Sequence, residues 1–252
     1  MYKMNLVDYD NIKFIEVYGL RRSGNHAILT WLINNLNTEE SNNYEPAYLI
    51  APTPELGFIS QYLGDVIHIN DVGSNWALNN GKYLNGLIDA YVSIGMKTVI
   101  LSYEDRPYNA SFLNVGYSFL KNSTKIVITR DIKSIFASRV MGGHSFFNIN
   151  KTILETWLKN ENSDCTKIRY EDWLTSRSYR DDTSTNLGLQ NIDITHIVST
   201  AGGGSSFKDQ TTGLIDKDKL LNRYKSFEFT KEVQDLLNSP EVIQKRKEIG
   251  YI

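Results

Sequence analysis

Short β-rich apolar runs recur along the chain and predict strands. Between several of these runs lie segments whose apolar residues repeat at the spacing of a helix. The predicted strands are 13–18, 65–69, 98–101, 125–129 and 166–169, and the predicted helices are 27–36, 83–94, 111–120, 132–140 and 153–158.

This alternation predicts a three-layer α/β fold in which helices flank a mostly parallel central sheet. Ligands of such folds bind beyond the carboxyl ends of the strands, where strand turns into helix. The last third differs, because a Gly-rich loop is followed there by further helical segments. We therefore expect one domain, 1–252, in which residues from about 202–252 form a Gly-rich flap and a helical tail. The loop spans 201–206, and the tail helices span 217–226, 231–237 and 240–248.

Composition narrows the range of functions. With 41% hydrophobic residues, 252 residues can bury a real core. A net charge of −2 argues against nucleic-acid or membrane-surface partners, so any anion site must be local. No segment approaches the ~20 apolar residues of a membrane span, and the start lacks a signal-peptide stretch, so we expect a cytoplasmic protein. Cys165 is the only cysteine, which excludes an intramolecular disulfide or a cysteine-based zinc cluster.

The first strand-to-helix junction, GLRRSGNH at 19–26, has the pattern of an anion site. Such a loop directs backbone N–H groups and the positive end of a helix dipole at a phosphate-like group. Arg21 and Arg22 place two cations inside it, and Ser23 and Asn25 add hydroxyl and amide donors. A tight turn with two solvated arginines is the alternative interpretation.

The same loop differs from a nucleotide-kinase loop. Gly19 and Gly24 have Walker A spacing, but Asn25 and His26 stand where that motif requires Lys followed by Ser or Thr. Metal-assisted phosphoryl transfer is thereby disfavoured, and no metal is expected. A phosphosulfate suits the loop better, because its sulfonate bears little charge and its transfer can proceed without a metal.

A second junction follows the strand that ends at Arg130. Ser138 lies eight residues further on, slightly over two helical turns, so both side chains can approach the ligand edge and clamp one phosphate. The alternative is a surface pair between Arg130 and Asp131, with a serine that faces its own helix.

Three motifs in order resemble those of the sulfotransferase family that uses 3′-phosphoadenosine 5′-phosphosulfate (PAPS). The loop at 18–26 looks like the family's 5′-phosphosulfate loop, and Arg130 with Ser138 looks like its 3′-phosphate motif. KIRYEDWL at 167–174, followed by NLGL at 186–189, is similar to the family's Tyr-Glu-Asp strand end and the Leu-Gly after its helix. The resemblance runs from about residue 14 to 210 and implies a P-loop-like fold and sulfuryl transfer from PAPS to a hydroxyl or amine.

Residue roles follow from this resemblance. Arg22 takes the place of the loop lysine that contacts the sulfate bridge, and it would stabilise charge on the leaving phosphate. The family's loop threonines and its adenine-stacking tryptophan are missing, so Trp31, one turn later, is the expected replacement for that ring. The other loop residues expected to bind the cofactor are Arg21, Ser23, Gly24, Asn25 and His26.

The resemblance also implies contacts beyond the first loop. Arg130 and Ser138 would hold the 3′-phosphate, and Tyr170 would lie near the adenine. Gly203 and Lys208 belong to the late glycine-rich segment, where consecutive N–H groups can form an anion nest, although the Arg-Lys pair usual in the family is absent. A flexible linker is the alternative for that segment.

Sulfuryl transfer also requires a base that takes the acceptor's proton. The family places a histidine or glutamate just after the strand that follows the loop unit, and here that strand end reads YEDRP at 103–107. Glu104 is the first candidate and Asp105 the second, whereas an Asp105–Arg106 pair or a helix cap is the alternative. Glu171 and Asp172 are expected to be scaffold residues that cap the next helix.

The acceptor is not indicated, nor is the oligomeric state. A carbohydrate is favoured over a small phenol, because fifteen tyrosines and four tryptophans supply rings on which sugars stack. Segments 37–81 and 142–150 are the expected specificity surfaces. Two other functions stay open: a P-loop kinase with a modified loop, which would bind Mg-ATP, and a non-catalytic nucleotide-binding protein that keeps the loop but lacks the base.

Overall fold

The structure, a computed structural model, describes residues 9–38, 47–50, 59–70, 81–108, 118–141, 149–194 and 217–252. Its strands are β1 (Lys13–Gly19), β2 (Ala47–Ile50), β3 (Ile59–Leu63), β4 (Val66–Ile69), β5 (Thr98–Glu104), β6 (Thr124–Thr129) and β7 (Thr166–Arg169). Its α-helices are α1 (Asn25–Leu36), α2 (Gly81–Ser93), α3 (Ile132–Met141), α4 (Lys151–Glu161), α5 (Tyr170–Thr175), α6 (Arg177–Leu187), α7 (Lys217–Asn222), α8 (Lys231–Leu237) and α9 (Pro240–Glu248). Two 3₁₀ helices span Ser118–Asn122 and Arg223–Ser226.

The described strands form one sheet in the order β2-β3-β4-β5-β1-β6-β7. The five strands from β4 to β7 in this order pair in parallel, and β3 and β2 add an antiparallel edge. Strands β2 to β5 lie on one side of β1 in the sheet, and β6 and β7 lie on the other side. The carboxyl ends of β5, β1 and β6 therefore meet at a topological switch point, where α/β folds bind ligands.

Alternate residues of β1 point to opposite faces of the sheet and enter two separate cores. Ile15 and Val17 pack in the cluster that contains the buried side of α1, whereas Phe14 and Tyr18 pack with α2. This two-sided burial explains why the strand is a nearly continuous apolar run, and it makes the fold three-layered. The predicted α/β class, a mostly parallel sheet flanked by helices, is confirmed.

A third core joins the C-terminal helices to the middle of the chain. Leu237 and Val242 are buried against α3 and α4, where Phe136 and Trp157 belong to the same cluster. All three predicted tail helices are present, while the Gly-rich segment before them lies outside the described residues. The organisation as one domain stays a prediction.

All five predicted strands exist, and β2 and β3 were not predicted. Of the predicted helices, 111–120 lies mostly outside the described residues, and its last positions belong to a 3₁₀ helix. No described helix combines the length and the apolar character that crossing a bilayer would need.

Candidate active site

The loop between β1 and α1 is shaped by two glycines. A β-carbon on Gly19 would collide with the Asn25 side chain, and one on Gly24 would collide with the ring of Tyr170. Gly24 also has φ 93°, which L side chains rarely adopt. The loop therefore follows a path close to its neighbours that only small residues permit.

Ser23 and Asn25 hold this loop together from inside. Ser23 is completely buried, and its hydroxyl hydrogen-bonds to the Asn25 carbonyl oxygen Oδ1. The Asn25 amide donates to the Leu20 carbonyl at 3.2 Å. The described geometry thus gives both side chains an internal structural role, and their predicted contacts with a phosphate stay predictions.

Arg22 has the backbone conformation of a strained functional loop. Its φ is 73°, in the left-handed region that non-glycine residues rarely occupy. Burial lowers the pKa of Arg22, and the nearby Arg139 cation lowers it further, while Glu104 opposes this. A second arginine cation therefore lies close enough to Arg22 to repel it.

Arg130 leaves the end of β6 and is buried, with 3% of its surface exposed. Its Nη1 donates to the Arg22 carbonyl at 3.0 Å, and its guanidinium lies 4.5 Å from the centre of the Tyr170 ring. Trp157 donates its indole N–H to the Arg130 carbonyl at 3.0 Å. Within the described part of the chain, Nη2 of Arg130 is buried without a hydrogen-bond partner.

The alternative of a surface pair between Arg130 and Asp131 is wrong. Both residues are buried at 3% exposure, and Asp131 accepts two hydrogen bonds from Arg246 instead, at 2.9 and 3.0 Å. A buried guanidinium with an unused donor is costly unless it binds an anion, which makes Arg130 the main candidate for an anion contact.

Tyr170 begins α5 and lies between the two predicted phosphate motifs. Its ring contacts Gly24 on one element and the Arg130 guanidinium on another, and it stacks on Trp173 with centroids 6.0 Å apart. The structure therefore brings together three residues that sequence reasoning assigned to one site.

The carboxylates after β5 face the same loop, because Glu104 is in register with Gly19. Glu104 Oε2 accepts from Arg21 Nε at 3.0 Å, and Oε1 is 3.8 Å from His26 Nε2. Its side chain is only 10% exposed. Glu104 is thus positioned at the loop by a cation and an imidazole.

Asp105 contacts both the first loop and a buried cation. Its Oδ1 accepts from the Arg21 backbone N–H at 2.9 Å and from the Arg139 guanidinium. Its own N–H donates to the Gly19 carbonyl at 3.0 Å, and its φ is 56°. These contacts tie the end of β5 to the first loop.

Arg139 is the residue that sequence reasoning missed. Its side chain is fully buried, and it pairs with Asp105, as Arg21 also does at 4.0 Å. A signal was present, since Arg139 lies seven residues after Ile132 and three after Phe136, on the apolar face of α3. A cation on such a face needs a buried partner.

Other predicted site residues have mixed outcomes. Trp31 is 1% exposed and packs edge-on against Trp173 in the core, so the expectation that it replaces the adenine-stacking ring is wrong. Ser138 is buried in α3 at 3% exposure, and its joint contact with Arg130 stays a prediction. Gly203 and Lys208 lie outside the described residues.

His68 lies beside this site on β4. Its Nε2 is 2.9 Å from the Ser102 hydroxyl, which in turn donates to Asn70 at 2.9 Å. Burial, with a smaller contribution from His26, lowers the pKa of His68 to about 3, so its imidazole is neutral at ordinary pH. Among the described residues, no three His, Cys, Asp or Glu side chains are placed to hold a metal ion.

Comparison with known proteins supports the fold. No protein-family model and no curated protein sequence matches the chain. Among solved structures, the chain is similar to the sulfotransferase domain from the Synechococcus PCC 7002 olefin synthase, with a TM-score of 0.50 and 13% identity over 97% of each chain. The chain therefore has a sulfotransferase-type α/β fold.

Proposed function

We propose that this protein is a sulfotransferase that uses PAPS as its donor. The observation that carries the proposal is Arg130, a buried arginine at the switch point whose Nη2 has no hydrogen-bond partner in the described structure. A donor nucleotide with phosphate groups on both sides of its ribose needs two anion sites. The β1–α1 loop and Arg130 are two such sites, joined by the hydrogen bond from Arg130 to the Arg22 carbonyl.

The residues present fit this donor. Arg22 and the first turn of α1 would face the phosphosulfate, where backbone N–H groups at a helix start favour an anion. Arg130 would bind the 3′-phosphate, and the buried Tyr170 ring supports its guanidinium from one face. His26 adds a buried Nδ1 that has no partner among the described residues.

When bound, PAPS would supply an activated sulfuryl group and a nucleotide leaving group. Glu104 is the base that we favour for the acceptor's proton, because its carboxylate lies at the loop and Arg21 fixes its orientation. Asp105 is less suited, since its Oδ1 already accepts from Arg21 and Arg139. We assign Asp105 to positioning the loop and Arg22 to stabilising the leaving phosphate.

The acceptor is proposed at the level of chemical class only: a hydroxyl or amine, with a carbohydrate favoured. Of the two alternative functions, a modified P-loop kinase has Asn25 and His26 where Lys and a metal-binding hydroxyl would be needed. A non-catalytic nucleotide-binding protein would share the anion sites and differ only in lacking turnover. A cytoplasmic location is part of the same proposal.

Calorimetric titration with adenosine 3′,5′-bisphosphate and with Mg-ATP tests the donor site. We expect the bisphosphate to bind without a metal, and Arg130→Gln to weaken it about 10- to 100-fold, as loss of a charge-assisted hydrogen bond would. The matched control is Arg180→Gln, which removes another buried arginine whose hydrogen bonds go to Trp173 and Asp193, away from the loop. Preference for Mg-ATP would support the kinase instead.

Turnover separates the enzyme from the binding protein. Release of the bisphosphate from PAPS should rise when a sugar panel is added, and Glu104→Gln should abolish the rise without changing bisphosphate affinity. Tight bisphosphate binding with no turnover for any hydroxyl or amine acceptor would favour the non-catalytic function.

A further inference from the structure

A chain of contacts connects Arg130 to the C-terminal end of the described structure. Glu171 lies with Oε1 3.9 Å from Arg130 Nε, and the same oxygen accepts the Asp131 backbone N–H at 3.2 Å. Its other oxygen, Oε2, accepts a hydrogen bond from the Tyr251 hydroxyl at 3.1 Å. Glu171 was expected to be a helix-capping scaffold residue, yet its carboxylate bridges Arg130 and the segment after α9.

A second set of contacts fixes Tyr251 itself. Its backbone N–H donates to the Arg246 carbonyl at 2.8 Å, and Arg246 makes the buried two-point ion pair with Asp131. On the ring face, the Arg169 guanidinium lies 4.5 Å from the ring centre. The hydroxyl of Tyr251 therefore has a defined direction, toward Glu171.

The pKa shifts of Glu171 and Tyr251 bear on which of the two groups donates the hydrogen bond. Burial raises the pKa of Glu171, while the Arg130 cation lowers it. Burial also raises the pKa of Tyr251, so its phenol stays protonated and donates. Tyr251 therefore donates to the Glu171 carboxyl, whose other oxygen lies on the Nε side of Arg130.

Arg130 is thereby held on several sides before any ligand binds. The Arg22 carbonyl accepts from Nη1, Glu171 forms an ion pair 3.9 Å from Nε without a hydrogen bond, and Tyr170 covers one face. A guanidinium that is fixed in this way loses little conformational freedom when Nη2 meets an anion.

We propose that Tyr251 and Glu171 are positioning residues for Arg130, so that the segment after α9 helps to set affinity for the 3′-phosphate of the donor nucleotide. This inference rests on the proposed function. It assigns to the C-terminal segment a role in ligand binding in addition to its packing against α3 and α4.

The test removes one hydroxyl oxygen and compares the binding of two nucleotides. Tyr251→Phe removes the hydroxyl and keeps the ring on Arg169. By calorimetry, we expect the variant to weaken adenosine 3′,5′-bisphosphate about fivefold, the equivalent of about 1 kcal/mol for one hydrogen bond. Binding of ADP, which has no 3′-phosphate, should be unchanged. The matched control is Tyr179→Phe. The Tyr179 hydroxyl accepts the Arg169 backbone N–H at 3.0 Å and donates to the Lys167 carbonyl at 3.4 Å, and its removal should alter neither ligand.

The outcomes are distinct. Loss confined to the bisphosphate supports the proposal. Equal weakening of both ligands would show a general structural effect and overturn it, and so would unchanged bisphosphate binding. If wild-type protein binds no bisphosphate, the proposed function fails first, and that failure is visible before any variant is compared.

Discussion

Glu161 offers a quantitative test of how burial controls charge in this fold. It lies at the end of α4 with 7% of its surface exposed, and in the described structure its Oε1 has no hydrogen-bond partner. Burial raises the pKa of Glu161 from 4.5 to about 7, although the nearby cations Arg169, Lys167 and Lys245 oppose the shift. Glu171 adds a smaller repulsion in the same direction as burial.

The sign of the stability effect follows from linkage. The folded state holds its proton more tightly than the unfolded state, so this stabilisation is complete below pH 4.5 and is lost as pH rises to about 7. The difference between 4.5 and about 7, at about 1.4 kcal/mol per pH unit, corresponds to about 3 to 4 kcal/mol. Glu161→Gln mimics the neutral form, so it should remove this loss.

Urea unfolding monitored by tryptophan fluorescence at pH 5 and pH 8 measures the effect. We expect Glu161→Gln to raise the free energy of unfolding at pH 8 relative to wild type by up to about 3 to 4 kcal/mol, and by much less at pH 5. Glu155→Gln on the same helix is the control, because Glu155 is half exposed and pairs with Lys151, so it should change stability by less than about 0.5 kcal/mol at both pH values. A Glu161→Gln effect that does not depend on pH would refute this reasoning.

Two further predictions concern the first loop and His68 on β4. Gly24→Ala should lower the free energy of unfolding by about 1–3 kcal/mol and weaken bisphosphate binding, because φ is 93° and the Tyr170 ring fills the space for a β-carbon. The control is Gly86→Ala, at an open helical position, which should be neutral or stabilising in the same urea unfolding experiment. Between about pH 6.5 and pH 3, the His68 imidazole takes up a proton in the unfolded state but stays neutral in the folded state. The free energy of unfolding should therefore fall as pH falls through this range, by up to about 1.4 kcal/mol per pH unit. Urea titrations of His68→Gln between pH 6 and 4 should show a flatter slope, and an unchanged slope would contradict the buried neutral imidazole.

Local pattern predicted the elements that carry the site. The run before Gly19 is apolar on both faces because β1 is buried on both sides, and the spacing in α1 and α3 is regular enough to identify helices. Trp31 shows where proximity along the helix misleads. Every residue of α1 from Ile28 to Leu36 is buried, so a ring one turn after the loop enters the core.

Long-range pairing explains what was not predicted. β2 and β3 are short: β3 pairs antiparallel with β4, with Ser60 opposite Ile69, and β2 joins the sheet through β3. Arg139 meets Asp105 across 34 residues, and Tyr251 meets Glu171 across 80. No local window contains both partners of such a contact, so these roles emerge only in the folded chain.

The distribution of the proposed site along the chain would couple ligand binding to folding. The first loop, the end of β5, Arg130 and Tyr251 come from distant parts of the sequence and meet only when the parallel strands are in place. A nucleotide that binds them together recognises the assembled sheet, so at 100 times its dissociation constant it would stabilise the folded chain by about 2.7 kcal/mol. Because pairing of distant parallel strands is slow, the same nucleotide should retard unfolding of the completed sheet more than it accelerates its formation.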